Sequence, residues 1–369
     1  MRIDFPIKDW KSPRTLFALG VVAILLSFFP RVAAKRADPE KFPLAESFID
    51  LNGGLCRLTG RRICNQRIRL EDGALGYADL SIRHLSDEVT NALARAEAFR
   101  RLGLPFVHCQ MPFGMDAGKR LLPPDAVCDA NEKAAEFVRA LRADGIDVLD
   151  LIDDLAKTPE DVRRNFYRTD HHWRNEAAFG MFRRLLAHLG EMLGDDAIRA
   201  TADRIDEEWM PVTAKTRFLG SHGKRTGRLF AGTDEVTVYL PRFETHLTRR
   251  DILRGSSASG DFRDVCMRRE LVEEDCGAWD STYTYYMLVR DGLLVYENAK
   301  PRFDRRIAVL TDSFGRPVLA FLATLFKEVH GLDPRRLPDA YERVNALRPD
   351  AVIRIMNPTA IGVTGWNER

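Results

Sequence analysis

The chain of 369 residues carries 56 Lys and Arg against 54 Asp and Glu, a formal net charge of +2, with 45% hydrophobic residues. A length of this order holds one large domain or two ordinary ones, and the apolar fraction supports a packed core, which excludes a disordered chain. The balanced charge builds no single-sign field, so nucleic acid is not an expected partner, and basic pairs such as Arg61-Arg62 and Arg335-Arg336 read as solvated surface.

At the N-terminus, Lys8, Lys11 and Arg14 precede an uninterrupted apolar run from Leu16 to Phe29, closed by Pro30 and Arg31. The run is shorter than the roughly 20 residues of a comfortable membrane span and has the length of a signal-peptide core. Val32-Ala33-Ala34 offers a cleavage site, whereas Asp4 and Asp9 suit an uncleaved segment better. A cleaved signal and an inner-membrane anchor built on residues 15–29 both stay open. Either places the remainder outside the cytoplasm, in the periplasm or another extracytoplasmic space. No polar face interrupts the run, which argues against a buried core helix. Residues 1–34 thus form the signal or anchor, and the polar stretch 35–45, with Pro39 and Pro43, reads as a linker. Six cysteines fit an oxidising compartment, and their neighbours in sequence suggest Cys56 with Cys64 and Cys266 with Cys276. No CxxC and no Cys/His set at zinc spacing is present, so neither a metal nor a cofactor is expected.

From about residue 46 to 369 no repeat or Gly/Ser-rich break divides the chain, so one main domain is expected. Apolar spacing predicts a helix over 80–102, a short strand from Pro105 towards Met111, a helix over 131–143 and a strand at Ile146–Leu149. A helix follows over 177–193. Strands and helices in alternation predict an α/β fold with a mostly parallel sheet covered by helices. From about 221 to 300 the pattern becomes short and β-like, and Asp291-Gly292 between two apolar runs is a hairpin signal; this reads as a β-rich insertion. The rhythm resumes with a buried strand at Ile307–Leu310, a helix over 318–326, a strand at Glu328–Leu332, a helix over 340–347 and a strand at Ala351–Ile355.

Two short stretches carry candidate chemistry. In Thr169-Asp170-His171-His172-Trp173, an acid two residues before a histidine shares its face if the chain is extended, so Asp170 can orient the His172 imidazole while His171 points away. Asp170 as a helix cap, or the two histidines as part of a metal site, are the structural alternatives, though no third ligand is spaced to help. In Leu310-Thr311-Asp312-Ser313-Phe314-Gly315-Arg316-Pro317, an apolar strand runs into a turn and a helix start. A serine there lies at the carboxyl edge of the sheet, where open α/β sheets place their sites. Ser313 as a mere N-cap is the competing reading. Together the two stretches offer a nucleophile, a base and an orienter: Ser313, His172 and Asp170. The N–H groups of Phe314 and Gly315 and the side chain of Asn357, directly after the last strand, are candidate oxyanion donors, with Gly220 a weaker one.

These stretches, with Pro349-Asp350-Ala351-Val352-Ile353, Glu46–Asp50 and Asp147–Leu151, resemble the DHHW protein family, which is similar to the SGNH-hydrolase-like O-acetyltransferases of alginate and other exopolysaccharides. The resemblance implies an SGNH-like three-layer fold from about residue 46, with Asp170, His172 and Ser313 as its triad and the Asp-x-His ahead of the serine. It implies a polysaccharide acceptor, and an acetyl donor supplied by a multi-pass membrane acyltransferase. One departure is Thr311 where Gly-Asp-Ser is expected. The leading expectation is an extracytoplasmic polysaccharide O-acetyltransferase working through an acetyl-serine. A carbohydrate acetyl esterase using the same residues and a non-catalytic polysaccharide-assembly subunit are the alternatives.

Overall fold

Apolar runs without polar alternation, such as Ile307–Leu310, belong in strands covered on both faces. The computed structural model, which describes residues 45–77, 79–80, 85–115, 127–281, 283, 285–286 and 292–360, places them so. The apolar run 16–29, its cleavage site and the linker up to residue 44 lie outside the described residues, as does Asp291 of the expected hairpin turn. Among the described residues no helix is long and apolar enough to cross a membrane.

The principal strands are β1 (Phe106–Gln110), β2 (Asp147–Asp150), β3 (Leu247–Asp251), β4 (Ser256–Gly260), β5 (Leu293–Asn298), β6 (Phe303–Thr311), β7 (Phe326–Leu332) and β8 (Ala351–Met356). They form one eight-stranded sheet in the order β4-β3-β5-β7-β6-β8-β1-β2. The five strands from β7 to β2 are parallel. Strands β5, β3 and β4 continue the sheet antiparallel. The stretch 221–300 therefore extends the central sheet as well as holding short helices, because Leu294 and Tyr296 of β5 pack into the same core.

The principal helices are α1 (Ala45–Leu58), α2 (Leu85–Arg101), α3 (Ala130–Ala143), α4 (Asn175–Leu193), α5 (Ser221–Thr226), α6 (Arg316–Ala323) and α7 (Ala340–Leu347). Alternation along β6 separates two layers. Ile307 and Val309 face α4 and α6, where Phe182, Leu185, Leu186, Leu189 and Phe321 are buried. Ala308 and Leu310 face Phe99 of α2 and Tyr341 and Val344 of α7. The expected helix through Phe326 ends earlier, at Ala323, and Phe326 already pairs with Phe303 in the sheet.

All six cysteines are free, so the two suggested bridges are not formed. Cys276 turns its thiol to the Glu270 carbonyl at 3.3 Å, while Cys266 is fully buried beside Tyr296. Cys56 and Cys64 share one apolar cluster, and burial, with Cys56 beside it, pushes the Cys64 thiol up to about 12.

Candidate active site

Strand β6 carries Thr311-Asp312-Ser313 to the carboxyl edge of the sheet, and its register with β8 sets Thr311 opposite Ile355. The carboxylate that caps the turn is Asp312, not the serine. Asp312 Oδ1 accepts the Phe314 N–H at 2.8 Å. Its Oδ2 accepts the Asn357 backbone N–H at 3.0 Å and is also bonded by the Asn357 side-chain amide. Burial raises the Asp312 carboxyl above the usual carboxylate range. Ser313 is thereby released from capping and begins the single 3₁₀ turn Ser313–Gly315 that leads into α6. Two of the expected oxyanion donors, Phe314 and Asn357, are thus spent on Asp312 and not aimed at the serine hydroxyl. Gly315 has a packing duty: a Cβ there would lie 2.1 Å from Thr311 Oγ1. The threonine that departs from Gly-Asp-Ser fits because its neighbour across the turn is a glycine.

The histidine segment is a bend, closed by a bridge between Phe166 and Trp173 and by the Tyr167 N–H on the His172 carbonyl at 3.2 Å. Buried Asp234 holds it from below: Oδ2 accepts the Thr169 N–H at 2.9 Å and hydroxyl at 2.7 Å, and Oδ1 accepts the Arg168 N–H at 3.1 Å. Asp170 Oδ1 accepts the His172 N–H at 2.9 Å and lies 2.5 Å from His172 Nδ1. His172 Nε2 lies 2.7 Å from Ser313 Oγ, a contact bridging 141 positions of chain. The three residues expected to work together therefore meet. His171 does not point away as an extended chain would require. Because the chain bends, its ring centroid stands 3.9 Å from that of His172 and its Nδ1 lies 2.9 Å from Ser221 Oγ.

Asp170 Oδ2 accepts the Ser221 N–H at 2.5 Å, at the start of α5. Gly220, expected as a weak oxyanion donor, instead donates its N–H to Thr169 Oγ1 at 2.9 Å, and its Cα packs directly on Asp170. Asp170, His171 and His172 converge closely enough to hold a metal ion, Asp170 being the third ligand that spacing did not reveal. Yet both ring nitrogens of His172 are already engaged, so the donor set fits a relay better than a cation site.

Electrostatics favour a neutral imidazole. Burial first, then the neighbouring His171, push His172 down to about 3 against the pull of Asp170. Burial alone would raise Asp170, but the two imidazoles and the bonds from His172 and Ser221 hold its carboxyl well below the usual carboxylate range. Tyr283 lies flat on the imidazole, centroids 3.6 Å apart and planes 7° apart. Its hydroxyl accepts from Trp173 Nε1 at 2.9 Å, and the same N–H reaches the Phe314 carbonyl at 3.1 Å. Arg316, three residues after the serine, is lowered to about 10, burial outweighing the attraction of Tyr283 and Asp333. No carboxylate pairs with it among the described residues.

Residues 90–227 match the family model described as the SGNH hydrolase-like domain of acetyltransferase AlgX, a span holding Asp170 and His172. That match and the mostly parallel sheet covered by helices are consistent with an SGNH-like fold. Among solved structures, Bacillus cereus PatB1 with a sulfonyl adduct is similar at 17% identity and a TM-score of 0.62, over 81% of this chain and 96% of that one. A DHHW family protein from Eubacterium siraeum is similar at 16% identity and a TM-score of 0.53, over 82% and 94%. At such identities the likeness is one of fold. No match emerges among curated proteins.

The supports of this site were not legible in sequence. Asp234, Ser221 and Tyr283 stand far from the residues they hold. The one local signal was Phe218-Leu219-Gly220-Ser221, where a small pair follows two apolar residues, and it pointed to the wrong role.

Proposed function

We propose that the protein is an extracytoplasmic O-acetyltransferase acting on a polysaccharide through an acetyl-serine at Ser313. The observation that carries this reading is the continuous path from Ser313 Oγ through His172 to Asp170, 2.7 Å and 2.5 Å long at its two links. The match to an acetyltransferase family model supports transfer of acetyl groups as the chemistry.

His172 Nε2 takes the hydroxyl proton as Ser313 Oγ attacks the acetyl carbonyl of the donor. Asp170 steadies the imidazolium, which the buried site otherwise disfavours, and the Tyr283 ring fixes its plane. The Ser313 N–H, which meets no acceptor among the described residues, faces the developing oxyanion at the head of the turn. The imidazolium then protonates the departing donor alcohol, leaving acetyl-serine. A sugar hydroxyl enters, gives its proton to His172 and takes the acetyl group, and Ser313 Oγ leaves with that proton. The apolar run Leu16–Phe29 supports a site outside the cytoplasm, and a multi-pass membrane acyltransferase is the proposed source of acetyl groups.

The test is acetyl transfer from an activated acetyl ester to an oligosaccharide, with mass spectrometry of the peptide containing Ser313. An adduct of one acetyl group on Ser313 is expected. Ser313→Ala and His172→Ala should each lower turnover by several orders of magnitude, and the double variant should lose little more. Release of free acetate with no acetylated sugar would make it an esterase; full activity in Ser313→Ala would end the reading. A periplasm-dependent reporter fused after residue 40 should be active only outside the cytoplasm.

A further inference from the structure

Helix α1 presents its apolar stripe to solvent. Gly53 packs against the Thr226 carbonyl and Phe230, and Cys56 is buried on the same side. Asp50, also buried there, bonds Arg228. On the opposite side Leu51, Leu55 and Leu58 follow helical spacing and are 60%, 61% and 85% exposed. Ile63 and Leu229 are half exposed. Leu229 borders the stripe, since it stands beside Gly54 and its carbonyl accepts from Arg57. Single exposed leucines need no explanation, but a contiguous patch opposite the buried face of a helix does.

Two features say what covers it. Arg57, Arg61, Arg62 and Arg225 are exposed on α1, the turn after it and α5, and none is ion-paired among the described residues. The apolar run Leu16–Phe29 lies upstream, joined to α1 by residues 30–44, which span about 50 Å at full extension and include Lys35, Arg36 and Lys41. We propose that α1 lies on the bilayer surface, its leucine stripe with Ile63 and Leu229 seated at the headgroup–acyl boundary of an anionic leaflet and its arginines on the headgroups. This rests on the extracytoplasmic reading above, with the segment 15–29 retained as an anchor. The consequence is positional. Helix α1 packs on the segment whose Ser221 N–H holds Asp170, so docking would set the triad one helix from the membrane, where a membrane-delivered acetyl donor arrives.

The test uses the full chain in nanodiscs of zwitterionic lipid with phosphatidylglycerol, carrying p-benzoylphenylalanine at position 55 or, as control, at exposed position 253. Illumination should yield lipid adducts at 55 and not at 253. Leu51→Ser with Leu58→Ser should reduce the yield at 55 by roughly tenfold or more, since each leucine kept in water forfeits about a tenfold in partition. Activated-ester turnover should not change. Carbonate extraction of the cell membranes separates the two ideas. A chain recovered wholly in the soluble fraction overturns both anchoring and docking. A retained chain that gives no lipid adduct, a dimer adduct or an adduct to another protein at 55 overturns docking alone.

Discussion

Gly220→Ala isolates the support beneath the orienting carboxylate. Gly220 has φ −71° and ψ −178°, an extended conformation that alanine adopts freely. By backbone entropy alone the substitution would be neutral or stabilising by about 0.4–1 kcal/mol. Its Cβ, however, would lie 2.3 Å from Asp170 Cβ, 2.5 Å from the Thr169 carbonyl oxygen and 2.6 Å from Asp170 Oδ2. Relief to an ordinary contact near 3.5 Å requires movement of about 1 Å, and Asp170 is the group in the way. A shift of that size breaks the 2.5 Å contacts to Ser221 N and His172 Nδ1. A misplacement of 1 Å at a reacting group costs about 10²-fold in rate, while replacing the orienting carboxylate by its amide costs about 10⁴-fold in a serine protease. We therefore expect kcat/KM for an activated acetyl ester to fall about 10²-fold, with stability reduced by about 1–3 kcal/mol from overpacking. Urea unfolding gives the second number and steady-state kinetics the first. On an Asp170→Asn background the alanine should cost little further activity, because the support has nothing left to position. A folded Gly220→Ala protein within threefold of normal activity would refute the reasoning.

Asp234→Ala removes the acceptor for three buried or half-buried donors and should cost about 2–4 kcal/mol, with a loss of turnover, read by urea unfolding and ester kinetics. His108, His172 and His222 are each held near 3, by burial foremost. Their folded pKa values lie below the unfolded value of about 6.5, so the unfolded chain takes up protons first. Stability is complete above about pH 6.5 and is lost as pH falls towards about 3, on the order of a kcal/mol per pH unit for each. Unfolding series at pH 7, 5.5 and 4 should show that slope, flattened by His222→Gln, and kcat/KM should show no limb near pH 6.5 until the protein unfolds. His171→Ala should leave most turnover, since it touches Ser221 and Asp170 but not Ser313; if it is the inactive variant and His172→Ala is not, the base has been misassigned. Thiol titration should find the native protein slow to react and the unfolded, unreduced chain exposing six thiols; fewer would mean bridges form.

What the sequence determined by itself was local. The order of strands and helices followed from runs such as Ile307–Leu310 and from the 3.6-residue spacing of α4, because periodicity dictates which face is buried. The candidate residues Asp170, His172 and Ser313 were legible because a carboxylate and a histidine two residues apart, and a serine at a strand-to-helix turn, are short-range patterns. Even there, reasoning from an extended chain misplaced His171, because the bend held by Asp234 is set 65 positions away. The same applies to Phe314 and Asn357: type and position suited an oxyanion hole, but Asp312 competes for both. Only the tertiary structure decided that Gly220-Ser221 shoulders Asp170, that Tyr283 lies on His172, and that Thr311 is received by Gly315. Hydrogen bonds and ring contacts depend on where packing brings distant segments, and a linear pattern carries no record of that distance.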